Sequence, residues 1–389
     1  MPWRFSTIQW TTIPMTPKPW CSNSAVSRTP PERLRTPGKA RLAATNRGRG
    51  RRGEGMKAGI ARALTLVLVV ALGVILTGRC HLEAAEPSWV VTAKYLQKAP
   101  TGLDDPAWQQ VRPVEVRLKG RGSFAEEEVT VTAMAAYTAE SIYFLFKWKD
   151  PTESVVKQSW KFDGQNWTHM KGDEDRIALL FEISRINGFA TKGCTVVCHS
   201  PPDVPSKEWK FATETPAEKG DLWHWKAARS NPYHHADDGW LTLADNPSGS
   251  YRTTGRRADG GGGGDVNNET PDKTRPLYMQ DPSRIPSAPG FLLFEEAVNI
   301  PDDAVFKAGD IIPYRMPKKP DGSRSDVKAI GQYADGGWTV MLYRKLDTGR
   351  EDDVAFNPRK EYSFAMAVFD DSGDDHSKAT RAMILRFSR

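Results

Sequence analysis

The chain has 389 residues, with 54 Lys and Arg against 48 Asp and Glu, four cysteines and 13 tryptophans. Its formal charge of +6 is uneven, because residues 1–55 carry eleven basic side chains against Glu32 and Glu54 and the remainder sums to −3. A basic excess confined to one tail removes the main support for nucleic-acid binding, and the length leaves room for one large domain or two small ones.

Residues 1–55 are rich in Pro, Thr, Ser and Gly and show neither helical nor strand periodicity. Such a stretch buries too little apolar area to offset its ordering entropy, so it reads as a disordered basic extension or an over-long start before Met56. "MKAGIARALTLVLVVALGVILTG" follows, with Lys57 and Arg62 ahead of an apolar run from Ala63 to Thr77. A positive segment before an apolar run of that length is the pattern of a secretory signal. Residues 56–85 are therefore expected to be a signal peptide, with an uncleaved membrane anchor as the alternative. Both imply export, to the periplasm or the outer face of the cytoplasmic membrane.

Residues 86–389 read mostly as strand. "EEVTVTAMAAYT" (127–138) alternates at Val129, Val131 and Ala133, and "SIYFLFKWKD" (141–150) is aromatic and β-branched, with a short turn between them. They are expected to pair antiparallel. "DRIALLFEIS" (175–184), "WTVMLYRKL" (338–346), "EYSFAMAVF" (361–369) and "TRAMILRFS" (380–388) add four more strands. Many short strands with Gly and Asp turns favour an all-β fold, an antiparallel β-sandwich or barrel. Residues 201–290 lack periodicity and read as a loop insertion, with "DGGGGGD" (259–265) as a flexible bridge.

"TKGCTVVCHS" (191–200) carries Cys194, Cys198 and His199. C-x-x-C-H is the attachment signal for a c-type haem, and this spacing is one residue longer. Two thiols can add to the two haem vinyl groups, which places the adjacent His199 as proximal iron ligand. A structural disulfide is the plain alternative in an oxidising compartment. A zinc site would need further ligands, and no second cysteine pair supplies them. There is no Ser-His-Asp order, paired-carboxylate motif or phosphate loop, so an electron carrier or a non-catalytic subunit is expected rather than an independent catalyst.

Three stretches carry a family resemblance: "LDDPAWQQV" (103–111), "YTAESIYFLFKWKDPT" (137–152) and "RKLDTGREDDVAF…EYSFAMAVFDDSGDDHS" (344–377). "GDEDRIALLFEI" (172–183) and "GDLWHWKAARSNP" (220–232) fit beside them. In this order they resemble the haem-binding domain related to the ethylbenzene dehydrogenase γ subunit, over roughly residues 88–388. That domain belongs with the DOMON-like and family-9 carbohydrate-binding sandwiches. The resemblance implies a β-sandwich holding one haem at one end, used for electron transfer outside the cytoplasm. The redox partner would be a membrane-bound protein or a molybdenum-enzyme complex.

Relatives of that type hold haem b without covalent bonds, so Cys194 and Cys198 mark this chain as a cytochrome c-type member. The resemblance favours His376, in "FDDSGDDHS", as the second axial ligand, because DOMON-type haem domains place a ligand in a comparable loop. Strand connections of a sandwich gather at its ends, so the loops bearing His199 and His376 are expected to face one ring. His224 competes, flanked by Trp223 and Trp225 as candidate cofactor contacts, and Met170 is a third option. His234 and His235 read as a solvated polar loop. The other function class is a carbohydrate-binding module without haem, since the same sandwich hosts sugar binding.

Overall fold

A computed structural model describes residues 89–120, 127–199, 210–244, 253–281, 291–373, 375–379 and 381–389, all within one compact unit, Glu83–Arg389. The basic extension and the stretch expected to be a signal peptide, residues 56–85, lie outside the described residues. Among the described residues no helix is long and apolar enough to cross a membrane.

Thirteen strands form the main sheet. In chain order, β1 is Val90–Tyr95, β2 Val114–Lys119, β3 Glu128–Tyr137 and β4 Ser141–Lys149. Next come β5 Arg176–Glu182, β6 Gly220–Lys226, β7 Asp237–Leu241 and β8 Arg256–Ala258. The last five are β9 Lys328–Tyr333, β10 Gly337–Lys345, β11 Tyr362–Phe369, β12 Ser377–Lys378 and β13 Met383–Ser388. One layer runs β8-β7-β6-β5-β11 and the other β2-β3-β4-β10-β9, bridged by β12 and by the pair β1–β13. Within this sheet, among the described residues, only β1 pairs in parallel, with β13 and with β3.

Period-two alternation explains the sandwich. β4 turns Phe144, Phe146 and Trp148 inward, and β5, β6 and β11 answer with Phe181, Trp223 and Phe364. The Phe144 ring lies 5.9 Å from both Phe181 and Trp223 and 6.2 Å from Phe364. Each such fully buried aromatic contributes about 1.5–3 kcal/mol over exposure, and the two layers are held by this shared stack. The expected antiparallel pairing of β3 with β4 is present, as are the four other expected strands.

The stretch expected to be an irregular insertion supplies β6, β7 and β8, the flank of one layer. All seven β6 residues are buried, with Asp221, Trp223 and Trp225 facing one way and Leu222, His224 and Lys226 the other. A strand covered on both faces shows no polar–apolar alternation. The oligoglycine is also packed. A Cβ on Gly261 (φ +129°) would sit 2.1 Å from the Asp321 carbonyl oxygen, and the Gly262 N–H donates to Asp321 Oδ1 at 2.6 Å. These glycines serve close backbone approach, not flexibility.

Candidate functional site

On the outward face of β5, β6 and β11 lies a cavity of about 570 Å³, within the range of small-molecule and cofactor sites. Alternation puts Ala178, Leu180, Leu222, Ala365 and Ala367 on its floor, and the three alanines leave the volume that larger side chains would fill. The roof is the segment after β5. A single helical turn, Phe189–Lys192, runs into a 3₁₀ turn, Gly193–Val196. Phe189, Cys194 and Val197 pack with Leu180, Leu222 and Ala365 in one apolar cluster.

Gly193 has φ +56°, and a Cβ there would come within 3.0 Å of the Arg381–Ala382 backbone, so only glycine lets the turn lie this close. Cys194 is buried, Cys198 is half-buried, and both line the cavity. The Cys198–His199 backbone then pairs with Lys210–Phe211; the His199 side chain lies outside the described residues.

His224 enters the same cavity from β6. It is 6 % exposed, and its Nε2 is shut from solvent with no hydrogen-bond partner among the described residues. Burial, then the charges of Lys226, Arg256 and Arg176, hold its imidazole well below the usual histidine pKa. The ring is therefore neutral at pH 7, the form that ligates a metal. His376, from the β11–β12 connection, also lines the cavity. Phe369 at the end of β11 serves both, its ring centroid 5.6 Å from His224 and 4.7 Å from His376.

One end of the cavity is cationic. Lys226 pairs with Asp237, which Arg324 also grips at 3.1 Å. Burial draws Lys226 down to about 8 although Asp237 opposes it. Burial would raise Asp237, but Lys226, His235 and Arg324 outweigh it and hold that carboxyl well below its ordinary range. Arg176 is tied to Asp173 and Glu174. Arg256 lines the cavity with no ion pair among the described residues, and burial lowers its guanidinium pKa. A desolvated guanidinium beside an apolar cavity favours an anionic group in that space.

The structure thus brings Cys194, Cys198, His224 and His376 together. It does not bring Trp223 and Trp225: they occupy the opposite face of β6, fully buried in the sandwich core, because neighbours of His224 in a strand point away from it. Met170, whose N–H donates to the Ser159 carbonyl at 2.7 Å beside a small separate hairpin, is not among the cavity's lining residues. His234 is exposed as expected, but His235 is 2 % exposed, held under β9 by a bridge to Lys328. The cavity lies on the outer face of one layer, whereas the loop argument placed it at the sandwich's end. Arg256 escaped the sequence reading, since only the pairing of β8 with β7 carries it there.

A two-layer β-sandwich with a thiol- and imidazole-lined cavity outside one layer is the class that this fold and site define. The chain matches the family described as ethylbenzene dehydrogenase over residues 105–381, and it belongs to that family. Among solved structures, a protein from Bacteroides uniformis ATCC 8492 with a proposed carbohydrate-binding role is similar at 7 % identity and TM-score 0.33. That match covers 77 % of this chain and 99 % of the other. A family-9 carbohydrate-binding module from Caldicellulosiruptor kristjanssonii, in complex with glucose, is similar at 7 % identity and TM-score 0.32, covering 77 % and 95 %. No curated protein matches the chain closely enough to count as a relative.

Proposed function

We propose that the chain is an exported electron-transfer protein whose cavity holds one haem c through thioether bonds to Cys194 and Cys198. The observation that carries this reading is the convergence of both cysteines and the neutral, unpartnered Nε2 of His224 on one cavity. The donor set fits the group: two thiols, imidazoles, an apolar floor for the ring and Arg256 for its carboxylate edge. When bound, haem supplies a one-electron iron couple.

The chain's own residues hold and tune it. The alanine floor leaves room for a flat macrocycle and, with Leu180 and Leu222, excludes water, which shifts the potential through burial. His199 is the proximal ligand that the motif implies. As the second iron ligand His224 would be favoured over His376, because its buried Nε2 otherwise goes without a partner among the described residues, which is costly.

Family membership supports a redox partner within a molybdenum-enzyme complex; a stand-alone carrier is the other form the reading allows. The same fold serves the alternative, a carbohydrate-binding module without haem. A reduced-minus-oxidised visible spectrum and a pyridine haemochrome assay on the exported protein separate them. A c-type spectrum is expected, and a protein with no haem bands overturns the reading.

A further inference from the structure

Three carboxylates that the haem reading does not use converge at strand ends: Asp150 after β4, Asp175 before β5 and Asp370 after β11. Each offers an oxygen, and these oxygens all lie within 4.8 Å of one another. Asp150 and Asp175 are 2 % and 0 % exposed. Among the described residues no Lys, Arg or His forms an ion pair with any of the three. A second acidic cluster, Asp221, Asp238 and Asp353, differs in having Arg344 at its centre.

The hydrogen bonds leave oxygens over. Asp175 Oδ1 accepts from the Asp371 N–H at 3.0 Å, and its Oδ2 from Ser154 N–H at 2.7 Å and Trp338 Nε1–H at 2.9 Å. Asp150 Oδ1 accepts from the Thr152 N–H at 3.1 Å. Asp150 Oδ2, in a residue all but closed to solvent, accepts no hydrogen bond among the described residues. Asp370 accepts no hydrogen bond among the described residues. A buried carboxylate oxygen with neither donor nor cation costs free energy, and three close carboxylates repel one another.

We propose that Asp150, Asp175 and Asp370 bind a calcium ion. An all-oxygen set of hard, anionic ligands on three separate strand ends suits Ca²⁺, which tolerates irregular geometry and takes six to eight oxygens, better than Mg²⁺ or a thiophilic metal. The ion clamps the start of the β11–β12 connection. Asp370 follows Phe369, the ring shared by His224 and His376, and Asp371 is tied back to Asp175.

The full exported protein, stripped with a chelator, would be titrated with calcium chloride into the millimolar range in which extracellular sites fill. Calcium is expected to raise the melting temperature. Terbium is expected to luminesce on indole excitation, through Trp338, and calcium to displace it. Asp370→Asn should lose both responses and yet melt higher than the metal-free parent, because it removes a half-buried charge beside two buried like charges. Asp353→Asn, in the other cluster, should keep both. A melting temperature indifferent to calcium, or an Asp370→Asn protein that responds like the parent, would overturn the proposal.

Discussion

Arg344→Met tests the core's charge balance directly. Arg344 is buried on β10 and reaches Asp221 at 2.9 Å, Asp238 at 3.5 Å and Asp353 at 2.6 Å, while stacking 4.8 Å over Trp223. Methionine fills much of the same volume but leaves three carboxylates without their cation. Breaking a buried pair from one side costs about 3–5 kcal/mol. Unfolding entropy is about 2.1 cal/mol/K per residue, so a domain of roughly 300 residues loses about 5–8 °C of melting temperature.

The deficit must also depend on pH. Asp221 is already raised from 3.8 to about 6, by burial first, with Asp353 adding and Arg344 opposing. A carboxyl raised in the folded state binds its proton more tightly there, so stability falls as pH rises from the unfolded to the folded pKa and levels off above it. Removing Arg344 extends that window past neutrality. Calorimetry of parent and variant should therefore show the largest gap near pH 8 and a smaller one near pH 5. An equal gap at both values, or one under about 1 kcal/mol at pH 8, would refute the reasoning.

His224→Ala should turn a low-spin spectrum high-spin and admit carbon monoxide, whereas His376→Ala should not; the reverse pattern assigns the iron to His376. Cys194→Ala or Cys198→Ala should leave a single thioether bond or release haem into acidified organic solvent. Full release from the unmutated protein would mean non-covalent attachment, and a bare polypeptide mass two hydrogens short would mean a disulfide. Gly261→Ala should cost about 1–3 kcal/mol in urea unfolding, because a Cβ meets the Asp321 carbonyl at positive φ; a neutral result would restore the flexible-bridge reading. A chain beginning at Met56 should be exported like the full-length one, and its retention in the cytoplasm would count against residues 56–85 as the signal.

Much of the fold was legible because β3, β4, β5, β10, β11 and β13 carry strong apolar runs between Gly and Asp turns. β6 and β7 were not, for a physical reason. In "GDLWHWK" the core side carries Asp221, which lies beside Arg344, and the cavity side carries His224 and Lys226. Both faces thus mix polar with apolar residues, and no period survives. Cys194, Cys198, His224 and His376 were identifiable by residue type. Their position outside one layer was not, since it depends on which strands adjoin β5. Trp223 and Trp225 show the converse error, in which adjacency in sequence suggested adjacency in space.

The register of β11 also fixes the order in which the molecule can be completed. β5, the two cysteines and β6 leave the ribosome long before β11, yet β11 pairs with β5 along Phe364–Phe369 and forms part of the cavity floor. β13, later still, closes against β1, with Val90 opposite Ile384. Pairings this distant in sequence form slowly. Until they do, the floor beneath Cys194 is missing, and the thiol that ends up buried stands open to solvent and to enzymes. Any covalent change at that sulfur thus has its easiest moment before the last strands close over the floor.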